Sequence, residues 1–139
     1  MNIFISWSGE RSKAVAKALR VWLPKIIQAS KPWMSEEDIV KGTVWLEQMK
    51  NSLQKAEVGI ICVTKDNLKA DYLLFEAGAV ARDKSAYVCT YLLDHKKTEV
   101  TGPLSVFQHT VADKEDTRRL IHDLFKRIGN HHSLTDAEI

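Results

Sequence analysis

The chain has only two cysteines, Cys62 and Cys89, and both sit inside apolar runs with the look of buried strands. That excludes a disulfide framework and a cysteine-built metal site, and it fits core thiols in a reducing compartment. Charge of one sign is also scarce: 20 Lys and Arg against 18 Asp and Glu leave a net charge of +2. Such a balance gives no electrostatic case for nucleic acid or a membrane surface as partner. No apolar run is long enough to span a bilayer. Met1 leads almost at once into Ile3-Phe4-Ile5 with no basic leader, so no secretion signal is expected and the cytoplasm is the default location. Internal repeats and low-complexity stretches are absent.

Several chemistries fall away for lack of their motifs. Neither G-x-G-x-x-G nor G-x-x-x-x-G-K-[ST] occurs, which removes the dinucleotide fingerprint and the phosphate loop. Without G-x-S-x-G there is no nucleophile elbow. The histidines at 95, 109, 122, 131 and 132 lack metal-ligand spacing with a cysteine or carboxylate on a common element, so no metal is expected. A phosphoacceptor receiver would need an Asp at the end of a central strand. Here the first strand ends in Ser6 and the third in Val63-Thr64.

What remains is an alternation of strand and helix signals over 139 residues, the size of one domain. Asn2 to Ser6 is a short β-rich run ending at the polar segment Trp7-Ser8-Gly9. From there to about Ser30 the spacing of Val15, Ala18, Leu19, Trp22, Leu23 and Ile26 predicts a helix, kinked or restarted at Pro24. Pro32-Trp33-Met34 is a candidate second strand, followed by a polar loop over 35–43. A second helix carries Trp45, Met49, Leu53 and Ala56 on one stripe. Val58 to Val63 is continuously apolar, as a strand buried on both faces should be. A helix over 71–82, a strand over 86–93, a charged loop over 94–103, a weaker strand over 107–111 and a helix over 113–129 complete the series.

This pattern predicts a flavodoxin-like doubly wound parallel sheet of about five strands with helices on both faces. Such sheets bind ligands at the carboxyl ends of their strands, where the winding reverses. The segments placed there are Trp7-Ser8-Gly9, the 35–42 loop, 64–67 and the start of the 71–82 helix. That helix is apolar or small throughout except for Glu76 between its charged ends. Asp71 suits its N-cap, and Glu76 lies one turn after Tyr72 on the same face. A carboxylate in a largely buried helix is costly unless it is paired or faces a wet cleft. Glu76 therefore either lies on an exposed edge or caps a backbone amide, or it serves a site. Trp7 and Trp33 flank polar loops and are open to two readings, core packing or stacking on a planar ring. Trp22 and Trp45 belong to core stripes.

Taken together, three segments resemble the Toll/interleukin-1 receptor (TIR) domain. Phe4-Ile5-Ser6-Trp7-Ser8 is similar to its first-strand box, and Ser35 to Gly42 to its long loop after the second strand. Tyr72-Leu73-Leu74-Phe75-Glu76 matches the aromatic-x-x-x-Glu segment of NAD-cleaving TIR domains, and Phe-Glu-Ala-Gly-Ala is especially like bacterial members. The chain departs from the family in having Tyr72-Leu73 where Trp-Cys is common, and Trp7-Ser8 where a basic residue or tyrosine is usual. The resemblance covers residues 1–129 and leaves 130–139 as a polar tail or linker.

It implies an enzyme that cleaves the nicotinamide–ribose bond of NAD+, with Glu76 as the catalytic carboxylate and NAD+ as substrate, not cofactor. Products would be nicotinamide and ADP-ribose or a cyclic isomer. Trp33 and Tyr72 would sandwich a ring, while Ser6, Trp7, Ser8, Ser35, Lys41 and Gly42 would line the cleft. Asp38, Ile39 and Val40 would serve contacts between protomers of a homo-oligomer, assembled by a sensor domain or partner protein. Antiphage defence is the implied setting. The alternatives are a TIR scaffold that binds other TIR domains without catalysis, and a module that senses a nucleotide without cleaving it.

Overall fold

Val58–Val63 forms the central strand, and all six of its residues are buried. In the computed structural model, residues 1–34, 55–65, 87–94, 96–100 and 107–128 are described. Numbered in chain order, the strands are β1 (Asn2–Ser6), β2 (Lys31–Met34), β3 (Val58–Val63), β4 (Tyr87–Leu92) and β5 (Gln108–Val111). They make one sheet in the order β2-β1-β3-β4-β5. Every neighbouring pair is parallel. This is the expected doubly wound order, with the winding reversing between β1 and β3.

Register decides which side chains share a face, because partners in a parallel pair point the same way. Ile3 pairs with Val58 and Ile5 with Ile60, while Cys62 pairs with Tyr91. These residues, with Met34 and Cys89, form one core with Ala16, Leu19 and Leu23 of helix α1 (Glu10–Ile26). Leu120, Ile121 and Leu124 of helix α2 (Lys114–Ile128) complete it. Both described helices thus cover the same face. On the opposite face Phe4, Ile61, Val88, Thr90 and Leu92 are buried as well. The expected helices carrying Trp45 and Glu76 lie outside the described residues.

Helix α1 begins where Gly9 adopts φ 90°, a conformation that costs glycine little and other residues more. Its carbonyl accepts the Lys13 amide at 2.9 Å, closing the first turn. The helix does not restart at Pro24: it is continuous through that residue and stops two residues later, at Ile26. Proline so near the carboxyl end removes a single amide donor, so the rest of the helix keeps its bonds. Ile27 is already extended, though its amide still reaches the Leu23 carbonyl at 2.8 Å. The chain then turns into β2, which is why the helix falls short of the expected Ser30.

Both cysteines are free and buried. Burial raises the thiol of Cys62, with Cys89 adding to it, and pushes Cys89 up to about 12, with Asp123 adding to it. Neither is a nucleophile near neutral pH. The 94–103 stretch, expected as a plain loop, contains a short 3-10 turn at Lys97–Glu99. Its Lys97 ammonium lies 2.9 Å from Asp116.

Asp116 secures the start of α2. Its carboxylate accepts the Val111 amide at 2.9 Å, and its own amide donates to Asp113 at 2.7 Å. Burial works to raise its pKa, but the Val111 amide and Lys97 outweigh it and hold the carboxyl below its usual range. A depressed carboxylate contributes stability that is present above its unfolded pKa and lost as pH falls through the folded value. Asp116→Asn is therefore expected to cost about 1–2 kcal/mol at neutral pH. In urea melts at stepped pH, the gap from wild type should stay level down to about pH 5 and close below about pH 4.

Candidate functional site

The point of reversal between β1 and β3 is where a doubly wound sheet opens a crevice. Here the β1 end, the start of α1 and the β3 end are tied together through one buried hydroxyl. Ser12 Oγ accepts the Ser8 amide at 3.1 Å and donates to the Cys62 carbonyl at 2.7 Å. Ser12 is 1% exposed, so both bonds are shielded from water. A second tie is made by Asp94, just past β4. One carboxylate oxygen accepts the Lys65 amide at 2.9 Å, and the other lies 2.9 Å from Arg11 of α1. The carboxyl ends of β1, β3 and β4 are thereby fixed against one another. Ser12→Ala is expected to remove both bonds of the Ser12 hydroxyl and to cost about 1–3 kcal/mol in a chemical melt.

The site residues expected from sequence divide between the two faces of the sheet. Ser6 lies on the face of Phe4 and is 2% exposed, so it forms part of the wall under the rim. Trp7 is partly buried and packs against the core on the α1 side. The Lys13 ammonium sits 5.3 Å from its ring centroid, and its buried indole Nε1 has no hydrogen-bond partner among the described residues. Ser8 presents its backbone amide to Ser12 at the turn. Trp33 pairs in register with Phe4, on the face away from α1. Their ring centroids are 5.0 Å apart at an interplanar angle of 31°. Trp7 and Trp33 are thus on opposite faces and cannot stack on one and the same ring. Ser35, Asp38, Ile39, Val40, Lys41, Gly42, Tyr72 and Glu76 lie outside the described residues.

Ser12, Arg11 and Asp94 were not singled out by sequence reasoning. Ser12 had a signal: it stands four residues before Ala16, on the stripe that continues through Leu19 and Leu23. Asp94 had only its place at the end of an apolar strand. Among the described residues no group of three His, Cys, Asp or Glu could hold a metal. His109 Nδ1 is instead 2.7 Å from the Thr90 hydroxyl. Nor is any described helix long and apolar enough to cross a membrane.

The TIR domain family model matches residues 3–128, nearly the whole chain and all five strands. The chain belongs to the TIR family. No curated protein matches it. As a TIR domain it shares a fold that serves both NAD-cleaving enzymes and non-catalytic members, and whose members associate through TIR–TIR contacts. The sheet order, the reversal between β1 and β3, and the tied rim are the described framework of this TIR domain.

Proposed function

We propose that this TIR domain is an NAD+ nucleosidase of the bacterial type that works as a self-assembled oligomer in the cytoplasm. The observation that carries the reading is Glu76, a carboxylate set in the apolar 71–82 run four residues after Tyr72, in a chain of a family that includes NAD-cleaving enzymes. Cleavage breaks the bond between ribose C1′ and the nicotinamide nitrogen. The bonding pair leaves with nicotinamide, which becomes neutral, and positive charge develops on the ribose. Glu76 stabilises that charge and holds the ribose hydroxyls, a role that requires no protonated acid. Water adds to C1′ and loses a proton, giving ADP-ribose. Attack by a nucleophile of the substrate itself gives a cyclic isomer.

Tyr72 and Trp33 are assigned to the nicotinamide or adenine ring, and Ser6, Trp7, Ser8, Ser35, Lys41 and Gly42 to the cleft lining. Asp38, Ile39 and Val40 are assigned to the contact between protomers. The setting is immune defence, with assembly triggered by a sensor domain or partner protein. The rival is a TIR scaffold in which Glu76 is structural. Chromatography of NAD+ incubated with dilute protein, and with the same amount crowded on vesicles, separates them. NAD+ loss that rises with surface density supports an enzyme switched on by assembly. Intact NAD+ under both conditions supports the scaffold.

A further inference from the structure

At the amino ends of β1 and β2, on the face away from α1, the sheet carries a hollow of about 240 Å³. Register places Asn2 beside Lys31 and Phe4 beside Trp33, so these four side chains share that face. Trp33 supplies an aromatic surface, backed by the buried ring of Phe4 and edged by Pro32, and Lys55 and Ala56 close the hollow from the segment leading into β3. The Asn2 amide nitrogen reaches the Lys55 carbonyl at 3.4 Å, and the Glu57 amide donates to the Asn2 carbonyl at 2.9 Å. These bonds fix the Lys55–Glu57 backbone against β1.

The charge around the hollow is unbalanced. Lys31 and Lys55 are both exposed, and neither ammonium has a partner among the described residues. Among the described residues the carboxylate beside the hollow is Glu57, which takes the Asn2 backbone amide at 3.4 Å. Two cations thus flank an aromatic surface in a space worth roughly eight waters. That is room for a single ring with one substituent. The Trp33 ring favours a flat aromatic body, and the two ammoniums favour an anionic group on it.

We propose that this hollow is a binding site for a small aromatic carboxylate, separate from the carboxyl-end rim where NAD+ is assigned. Trp33 is the one residue common to both assignments, so the test leaves it unchanged. Benzoate is titrated into the 15N-labelled full chain and followed by amide and indole shifts. Saturable binding is expected with a Kd of about 1 mM, centred on Asn2, Lys31, Trp33 and Ala56. Benzyl alcohol, the neutral counterpart, should bind about tenfold more weakly, and so should benzoate to a Lys31→Gln/Lys55→Gln variant. Both lysines are exposed, so the variant should fold, and its unperturbed spectrum checks this. Binding that persists in Glu76→Ala would hold the site independent of the proposed reaction. Equal shifts from benzyl alcohol, shifts centred elsewhere, or no saturation would overturn the assignment.

Discussion

Glu76→Ala is expected to lower the rate of nicotinamide release by at least about a hundredfold. A preorganised charge beside the reacting centre typically supplies a factor of roughly 10² to 10³. Removing it leaves the ribose to develop positive charge with only water and neutral dipoles to answer it. Glu76→Gln preserves the volume and some hydrogen bonding while removing the charge, so it should fall nearly as far. Glu76→Asp retains the charge but draws it back by one methylene, and should keep an intermediate rate. That order, wild type above Asp above Gln and Ala, is what an electrostatic role predicts. A purely structural Glu76 would instead make the rates follow each variant's thermal midpoint. A Glu76→Gln enzyme at full rate would clear the carboxylate of the role.

Leu23→Ala is expected to be the largest loss of stability among single changes on α1, at about 2–5 kcal/mol. Leu23 is fully buried between α1 and the sheet, in the cluster containing Ile3, Ile5 and Ile60. Truncation removes its packing and leaves a cavity that strands on one side and a helix on the other cannot readily close. Against a typical total of about 5–15 kcal/mol, that is a large fraction. Val21, two residues earlier and 56% exposed, is the control: Val21→Ala should stay within about 0.5 kcal/mol. Urea melts of both variants check the pair. A cost below about 1 kcal/mol for Leu23→Ala would contradict the packing of α1 described above.

The strands were the most legible elements. β1 and β3 have the bounds their apolar runs predict, because a strand buried on both faces leaves an unbroken run with polar residues at its end. β4 ends at Leu92, one residue before the end of the run over 86–93, and β5 starts at Gln108 instead of Phe107. The last helix starts at Lys114 instead of Asp113 for the same reason: termini are set by hydrogen bonds, not by hydropathy. Pro24 does not restart the helix because its effect depends on its distance from the helix end, which the local pattern does not fix.

The rim was legible only in part. The end of β1 marked Ser6-Trp7-Ser8 as strand-end residues, yet the sequence did not show that Trp7 turns towards α1 while Trp33 packs on Phe4. Those orientations follow from register, which pairs residues far apart in the chain. The Ser12–Cys62 and Lys65–Asp94 bonds are equally non-local, spanning 50 and 29 residues. Periodicity reads neighbours within a few turns and is blind to them. The assignment of Glu76 came from a motif and from the oddity of one charge in an apolar run.

The most direct measurement is the stoichiometry of nicotinamide released to NAD+ lost, with the wild-type chain crowded on a vesicle surface. The account predicts one nicotinamide for each NAD+ consumed, with ADP-ribose or its cyclic isomer as the other product. NAD+ that stays intact on the crowded surface, or disappears without nicotinamide, would contradict it.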